Sequence, residues 1–269
     1  MPLLVLPVGL LIGLSLGALG GGGSILPVPA LVYLLGQDPH QATTGSLVIV
    51  GTTSLIALVP HARRGHVRFG QGLAFGALGT AGSLAGSTLA THVRPAVLLS
   101  AFAALMLVVA ALMLRRSQRG PDAPGSLATG PTEPMLTLRP LGCACPRVAK
   151  VVVTATAVGL LTGFFGVGGG FALVPALVLA LAFPMPVAVG TSLLVIAVNS
   201  ATALAARATS GPSLDWGVIA AFTAAAVAGS LLGGRVSAQM APRLLTRAFA
   251  VLLVAVAVYT AALNVPALL

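Results

Sequence analysis

Long apolar runs separated by short polar gaps organise this chain. Six of them, at residues 42–60, 70–91, 96–114, 187–206, 216–234 and 244–263, approach the ~20 residues that carry an α-helix across bilayer hydrocarbon. Two others are too long for one crossing. Residues 1–36 and 148–183 span 36 positions each, and both are interrupted by glycines: Gly20, Gly21, Gly22 and Gly23 in the first, Gly168, Gly169 and Gly170 in the second. A run of that length, broken in that way, predicts a chain that goes into the membrane, breaks and comes back. The whole pattern predicts an all-α polytopic integral membrane protein.

The pattern is also doubled. Residues 17–32 read GALGGGGSILPVPALV and residues 163–178 read GFFGVGGGFALVPALV, identical at nine of sixteen positions at an offset of 146. The register continues, with Ala42 on Ala188, Ser46-Leu47 on Ser192-Leu193 and Ser54 on Ser200. After a slip to 147, Gly82-Ser83-Leu84 meets Gly229-Ser230-Leu231, Gly86 meets Gly233, Pro95 meets Pro242 and Phe102 meets Phe249. Each unit is thus an opening broken element followed by three spans. Between the units the chain turns polar and carries Pro121, Pro124, Pro131, Pro134, Pro140 and Pro146, a composition that cannot bury a core. The expected organisation is a membrane repeat at 1–116, a solvated linker at 117–147 and a second membrane repeat at 148–269.

Composition fixes the solvent. Hydrophobic residues make up 57% of the chain and charged residues 7%, with 33 glycines and a mean hydropathy of +1.06; a soluble domain carries about a quarter charged residues. The partner this implies is a lipid bilayer. The net charge of +10 would raise nucleic-acid binding in a soluble protein, but aromatics are only 4% of the chain and interleave with no basic stripe, so no nucleic-acid partner is expected. The first residues, Met1-Pro2-Leu3-Leu4, carry no basic charge and lead into an apolar run without a small-residue cleavage site, which reads as retained membrane helix. Cys143 and Cys145 lie in the polar stretch without His or acid partners and fall short of a zinc site. Neither a metal nor a cofactor is expected.

Basic residues arbitrate the topology. A returning element plus three spans makes an odd number of side changes, which inverts the second copy. One side then collects Arg63, Arg64, Arg68, Arg115, Arg116, Arg119, Arg139, Arg147, Lys150, Arg235, Arg243 and Arg247, against Arg94 and Arg207 on the other, a split of 12 to 2. If each opening stretch crosses once, the copies are parallel and the split is 10 to 4. Loops rich in Lys and Arg stay cytoplasmic. The inverted arrangement is therefore favoured, in the cytoplasmic membrane, with the central linker on the cytoplasmic side.

Broken backbone at membrane depth must be buried in protein or line a watery cavity, and the N-terminal end of a half-helix offers free N–H donors and partial positive charge. Gly20, Gly21, Gly22, Gly23, Gly168, Gly169 and Gly170 are accordingly the candidate site for a small anion, near the midplane between the repeats. Close helix packing is the competing role for glycine, and Gly13/Gly17, Gly72/Gly76, Gly82/Gly86 and Gly229/Gly233 fit it. Ser46, Thr191, Ser192 and Asn199 are candidate ligands on the next span of each copy, with helix bracing as their alternative role. His61 and Arg207, at equivalent span ends, are candidates for a vestibule that attracts anions. Asp122 and Glu133 fall in the linker and Asp38 and Asp215 at span ends; no carboxylate lies in mid-membrane, so the coupling ion stays open. Gly13-Leu14-Ser15-Leu16-Gly17 satisfies G-x-S-x-G but sits inside an apolar helix, with Leu161 at the position equivalent to Ser15. A nucleophile elbow needs a strand-to-helix turn, and no enzyme activity is expected.

The doubled G-x-x-G-x-G-G-x-x-x-x-V-P pattern, the Ser-Leu pairs Ser46-Leu47 and Ser192-Leu193 downstream, and Leu214-Asp215-Trp216 together resemble the sulfite exporter TauE/SafE family of membrane transporters. The resemblance covers both copies and excludes the linker. It implies a cytoplasmic-membrane carrier of small, often sulfur-containing anions such as sulfite or organosulfonates. Two departures bear on the substrate: Gly45 stands where the family pattern has Thr, preserved only as Thr191, and the first copy has Val67-Arg68-Phe69 where the second has Leu214-Asp215-Trp216. The expectation is a secondary transporter of a small anion, with a channel-like or scaffolding membrane protein as the alternative; oligomeric state is open.

Overall fold

The computed structural model describes residues 5–90, 95–118, 145–165, 170–207 and 215–264. Among the described residues every regular element is helical and there is no strand. In the first half these are α1 (Val5–Leu19), the single turn α2 (Pro27–Pro29), α3 (Pro39–Arg63), α4 (Phe69–Ala90) and α5 (Pro95–Gln118). In the second they are α6 (Cys145–Phe165), α7 (Gly170–Leu179), α8 (Met185–Arg207), α9 (Trp216–Gln239) and α10 (Pro242–Asn264). Helices α3, α4, α5, α8, α9 and α10 lie where the six ordinary spans were expected. Proline opens α3, α5 and α10, where its missing N–H is one that the first helical turn leaves unpaired in any case. Asp215 caps α9, its Oδ1 accepting from the backbone N–H groups of Gly217 (3.1 Å) and Val218 (3.2 Å). α6 starts at Cys145, three residues before the expected boundary at 148, with Pro146 in its first turn.

Five runs among the described residues are long and apolar enough to cross a membrane: Val5–Ile25, Gln41–Arg63, Met185–Ala206, Trp216–Gln239 and Pro242–Ala262. The first of these is not straight. In a continuous helix Gly23 would lie ~10 Å beyond Leu16, yet a Cβ on Gly23 would sit 2.6 Å from Leu16 Cα. The reversal happens at Gly20, whose φ of +66° is a left-handed conformation open to glycine without a steric penalty. Beyond it come a 3-10 helix at Gly20–Ile25, α2, and a π-helical turn at Ala30–Leu34.

Small residues set the packing. Gly13 and Gly17 of α1 lie on the backbone of Ala226 and Ser230 in α9, while Gly229 and Gly233 of α9 lie on Leu10 and Leu14 of α1. Gly82 and Gly86 of α4 lie on Thr156 and Leu160 of α6, and Gly159 and Gly163 of α6 on Gly79 and Ser83 of α4. None of these eight positions has room for a Cβ, which is what brings helix axes close enough for dispersion to hold them where no hydrophobic driving force exists. Both series ascend together, so α1 runs parallel to α9 and α4 parallel to α6. By the same reasoning α3 and α9 are parallel, with Gly45 beside Ile219 and the Arg64 guanidinium donating to the Gly234 carbonyl. α3 and α8 are antiparallel, with His61 beside Gly190 and Gly51 beside Ser200. Hence α1 and α3 point the same way, and the segment between them returns to the side from which α1 set out.

Leu16, Leu31, Leu193, Phe222 and Phe249 are buried in the interior, together with polar side chains such as Ser54, Thr191 and Ser192. The ring of Phe102 on α5 meets Phe171 on α7 edge-on at 4.9 Å, an aromatic geometry favoured by the ring quadrupoles. Leu6, Leu11, Leu84, Val153 and Val251 point outward and are each more than half exposed, a pattern at home against lipid tails.

Candidate functional site

The four glycines at the end of α1 each face something different. A Cβ on Gly20 would lie 2.6 Å from Ser192 Oγ and 3.1 Å from the Val189 carbonyl, both on α8. Gly21 lies directly on the Gly170 carbonyl, at the first residue of α7. Gly22 faces the Phe249 ring and Leu252 of α10, with 3.0 and 3.1 Å to a built Cβ, and Gly23 folds back on Leu16. Ser24 completes the contact with the second half: its hydroxyl donates to the Gly21 carbonyl at 2.7 Å and fills the space that a side chain at position 170 would need. The structure therefore brings Gly20, Gly21, Gly170 and Ser192 together. Gly168 and Gly169 lie outside the described residues.

The two returning legs are built differently, which their sequences explain. The second half returns as a regular ten-residue helix, α7, interrupted only by Pro175. The first half has both Pro27 and Pro29, neither of which can donate a helical hydrogen bond, and returns through 3-10, α and π turns instead. The first N–H groups of α7 have no carbonyl of their own helix to reach and carry the positive end of its dipole. The helix begins where Gly170 meets Gly21 and Ser24.

The remaining candidates divide. Ser192 is fully buried, and its hydroxyl donates to the Val189 carbonyl at 2.8 Å with the oxygen against Gly20. Thr191 is fully buried too, but its hydroxyl oxygen accepts the Arg68 backbone N–H at 3.2 Å, tying α8 to the turn before α4. Ser46 is buried and donates within its own helix to the Thr43 carbonyl at 2.8 Å. Asn199 accepts from the Thr80 hydroxyl at 3.4 Å and sits beside Gly76, in the interface of α8 with α4. Arg207 is the last residue of α8, and its side chain lies outside the described residues.

His61 is placed far deeper than a span-end basic residue suggests. It is 3% exposed, its Nε2 lies 3.4 Å from the Gly17 carbonyl, and its Cβ is 3.2 Å from a Cβ built on Gly190. Gly17 is three positions before Gly20 and Gly190 two before Ser192, so His61 touches both stretches of chain that lead to the glycine break. Ser24 and Gly190 do not stand out in the sequence, and Gly17 does so only as a packing glycine; Ser24 follows directly on the glycine run, and that adjacency is its only signal.

Charge is segregated about this cluster. Arg63, Arg64, His66 and Arg68 follow His61, and Arg235 lies beside Gly234 at the neighbouring end of α9. The two described carboxylates, Asp38 and Asp215, lie at the opposite ends of the same parallel helices, α3 and α9. Among the described residues no carboxylate touches the cluster, and the positive end of the α7 dipole lies beside it.

Comparison with known proteins points the same way. The profile of the sulfite exporter TauE/SafE family matches residues 5–260. A probable membrane transporter protein of Xylella fastidiosa (strain 9a5c) is 34% identical over 256 residues, covering 93% of this chain and 90% of that protein. The probable membrane transporter protein YunE of Bacillus subtilis (strain 168) is 28% identical over 253 residues, covering 89% and 88%. No solved structure matches the chain.

Proposed function

This chain belongs to the sulfite exporter TauE/SafE family of membrane transporters, and from that premise we propose that it is a secondary carrier of a small sulfur-containing anion, sulfite or an organosulfonate, bound between the glycine breaks of its two halves. The observation that carries the proposal is the meeting of Gly21 with Gly170, which puts the N-terminal amides of α7 at the break of the first half with Ser24 and Ser192 beside it. Gly20, Gly21, Gly170, Ser24 and Ser192 line the site, and the sequence pattern alone puts Gly168 and Gly169 forward with them. Gly22 and Gly23 support its backbone, while Ser46 donates within its own helix to the Thr43 carbonyl. The bonds of Thr191 to Arg68 N–H and of Asn199 to Thr80 favour bracing roles for those two.

The same proposal takes residues 1–116 and 148–269 as inverted repeats joined by a cytoplasmic linker at 117–147, in the cell membrane. Two observations support it. The equivalent helices α3 and α8 run antiparallel, as a two-fold axis lying in the membrane plane requires and one along the membrane normal forbids. And Ser24 touches Gly170, its own counterpart at the offset of 146, as only residues on such an axis do. Rocking of one half against the other about this axis would open the site alternately to either side.

The test is flux of labelled sulfite into proteoliposomes holding the purified protein, competed with sulfate, thiosulfate, taurine, sulfoacetate and chloride. Saturable uptake, inhibited by some of these anions and not others, is the expected result. Flux that does not saturate would indicate a channel, and none above empty liposomes, under either a proton or a sodium gradient, a scaffold or another solute.

A further inference from the structure

Resting on that reading, we propose that His61 is the proton-coupling group of the carrier: its Nδ1 takes up a proton when the anion binds and donates it as a hydrogen bond to the anion, so that one proton and one anion move together. The geometry points there through three facts. A carbonyl only accepts, so the Gly17 oxygen 3.4 Å away assigns the hydrogen of the neutral ring to Nε2. Nδ1 is then a bare lone pair, buried and without a hydrogen-bond partner among the described residues, a state a protein interior disfavours unless a partner arrives. And the side chain sits between Gly17 and Gly190, which lie three positions before Gly20 and two before Ser192, the pair that meets at the glycine break.

Among the described residues the surroundings supply no competing acid. α1 and the 3-10 helix carry no titratable side chain, α8 presents Gly190 here with Arg207 at its far end, and α9 presents Gly234 next to the exposed Arg235. The loop after α3 adds Arg64, which donates to the Gly234 carbonyl, Arg68, and His66, whose ring centre is 6.5 Å away. Among the described residues every charged side chain facing His61 is basic, so a proton on Nδ1 in the empty site meets their repulsion, and an arriving anion offsets it. Moving an anion alone into a low-dielectric interior is unfavourable, and a hydrogen-bonded pair of opposite charges relieves much of the penalty. The proton enters from water on the loading side and leaves to water on the release side, so transport of a monovalent anion is electroneutral. In the second half the equivalent position is Arg207, a permanent cation that cannot switch.

Ethanesulfonate, an anion that stays ionised at all working pH values and brings no proton of its own, is the probe. Calorimetric binding to the intact protein at mildly alkaline pH, in buffers of different ionisation enthalpy, should show about one proton taken up per anion bound. His61→Arg, fixed in the charged form, should bind with no proton uptake and an affinity independent of pH. His61→Asn should bind more weakly and also without uptake, while His66→Asn keeps it. Proton-free binding by the wild type, or full uptake by either His61 variant, overturns the assignment. If neither ethanesulfonate nor sulfite binds the wild type at any pH, the carrier reading falls, and this one with it.

Discussion

At the scale of single residues, the glycine run is four separate requirements rather than one flexible stretch. Gly20 needs its positive φ and the space against Ser192. Gly20→Ala should therefore lower stability by about 1–2 kcal/mol from the left-handed backbone alone, read as a lower unfolding midpoint in detergent, and should abolish sulfite flux. Asn199 shows the opposite case. Its bond to Thr80 is a single weak contact between helices, so Asn199→Ala should cost about 0.6 kcal/mol and leave the KM for sulfite unchanged; a raised KM would return Asn199 to the binding site. Neither partnership was legible in the sequence. A mid-span Asn looks the same whether it faces a ligand or another helix, and a histidine at the end of a span looks like an interfacial anchor until the fold places Gly17 and Gly190 around it.

At the scale of helices, the pairing of α1 with α9 and of α4 with α6 rests on glycines spaced four apart, and that spacing was legible: Gly13/Gly17, Gly82/Gly86 and Gly229/Gly233 were assigned to packing from sequence and do pack. What sequence could not say is that each pair joins the two halves. Gly13→Val and Gly82→Val should each separate such a pair and lower thermal stability strongly, while Gly79→Ala, which faces open space, should be neutral or gain up to about 1 kcal/mol in helix propensity. Equal destabilisation by all three would show that helix propensity, not backbone contact, governs. The returning legs were less legible. Both were expected as half-helices, and only the second is one, because the first carries a second proline at Pro27 and must leave the α-helical ladder around it.

At the scale of the whole molecule, helix directions do what hydropathy cannot. The apolar runs were enough to mark six spans, since length and composition alone decide whether a helix fits a bilayer, but not which way each points. Parallel α3 and α9 put Arg63, Arg64 and Arg68 at the same end as Arg235, the grouping that the charge count favoured. Single cysteines at Arg63 and Arg243, in a background lacking Cys143 and Cys145, should accordingly be labelled by an impermeant maleimide from the cytoplasmic face only, and one at Arg94 from the opposite face only. Labelling of Arg63 and Arg243 from opposite faces would overturn the inverted arrangement.

Ser24 and Gly170 occupy the same place in their respective halves, and where they meet the hydroxymethyl of one fills the vacancy left by the other. Two identical halves could not do this. A pair of serines would compete for a single space, and a pair of glycines would leave it empty. The halves are complementary at this point, like a plug and its socket, so a tandem built from two first halves, with a serine in place of Gly170, should fail to close.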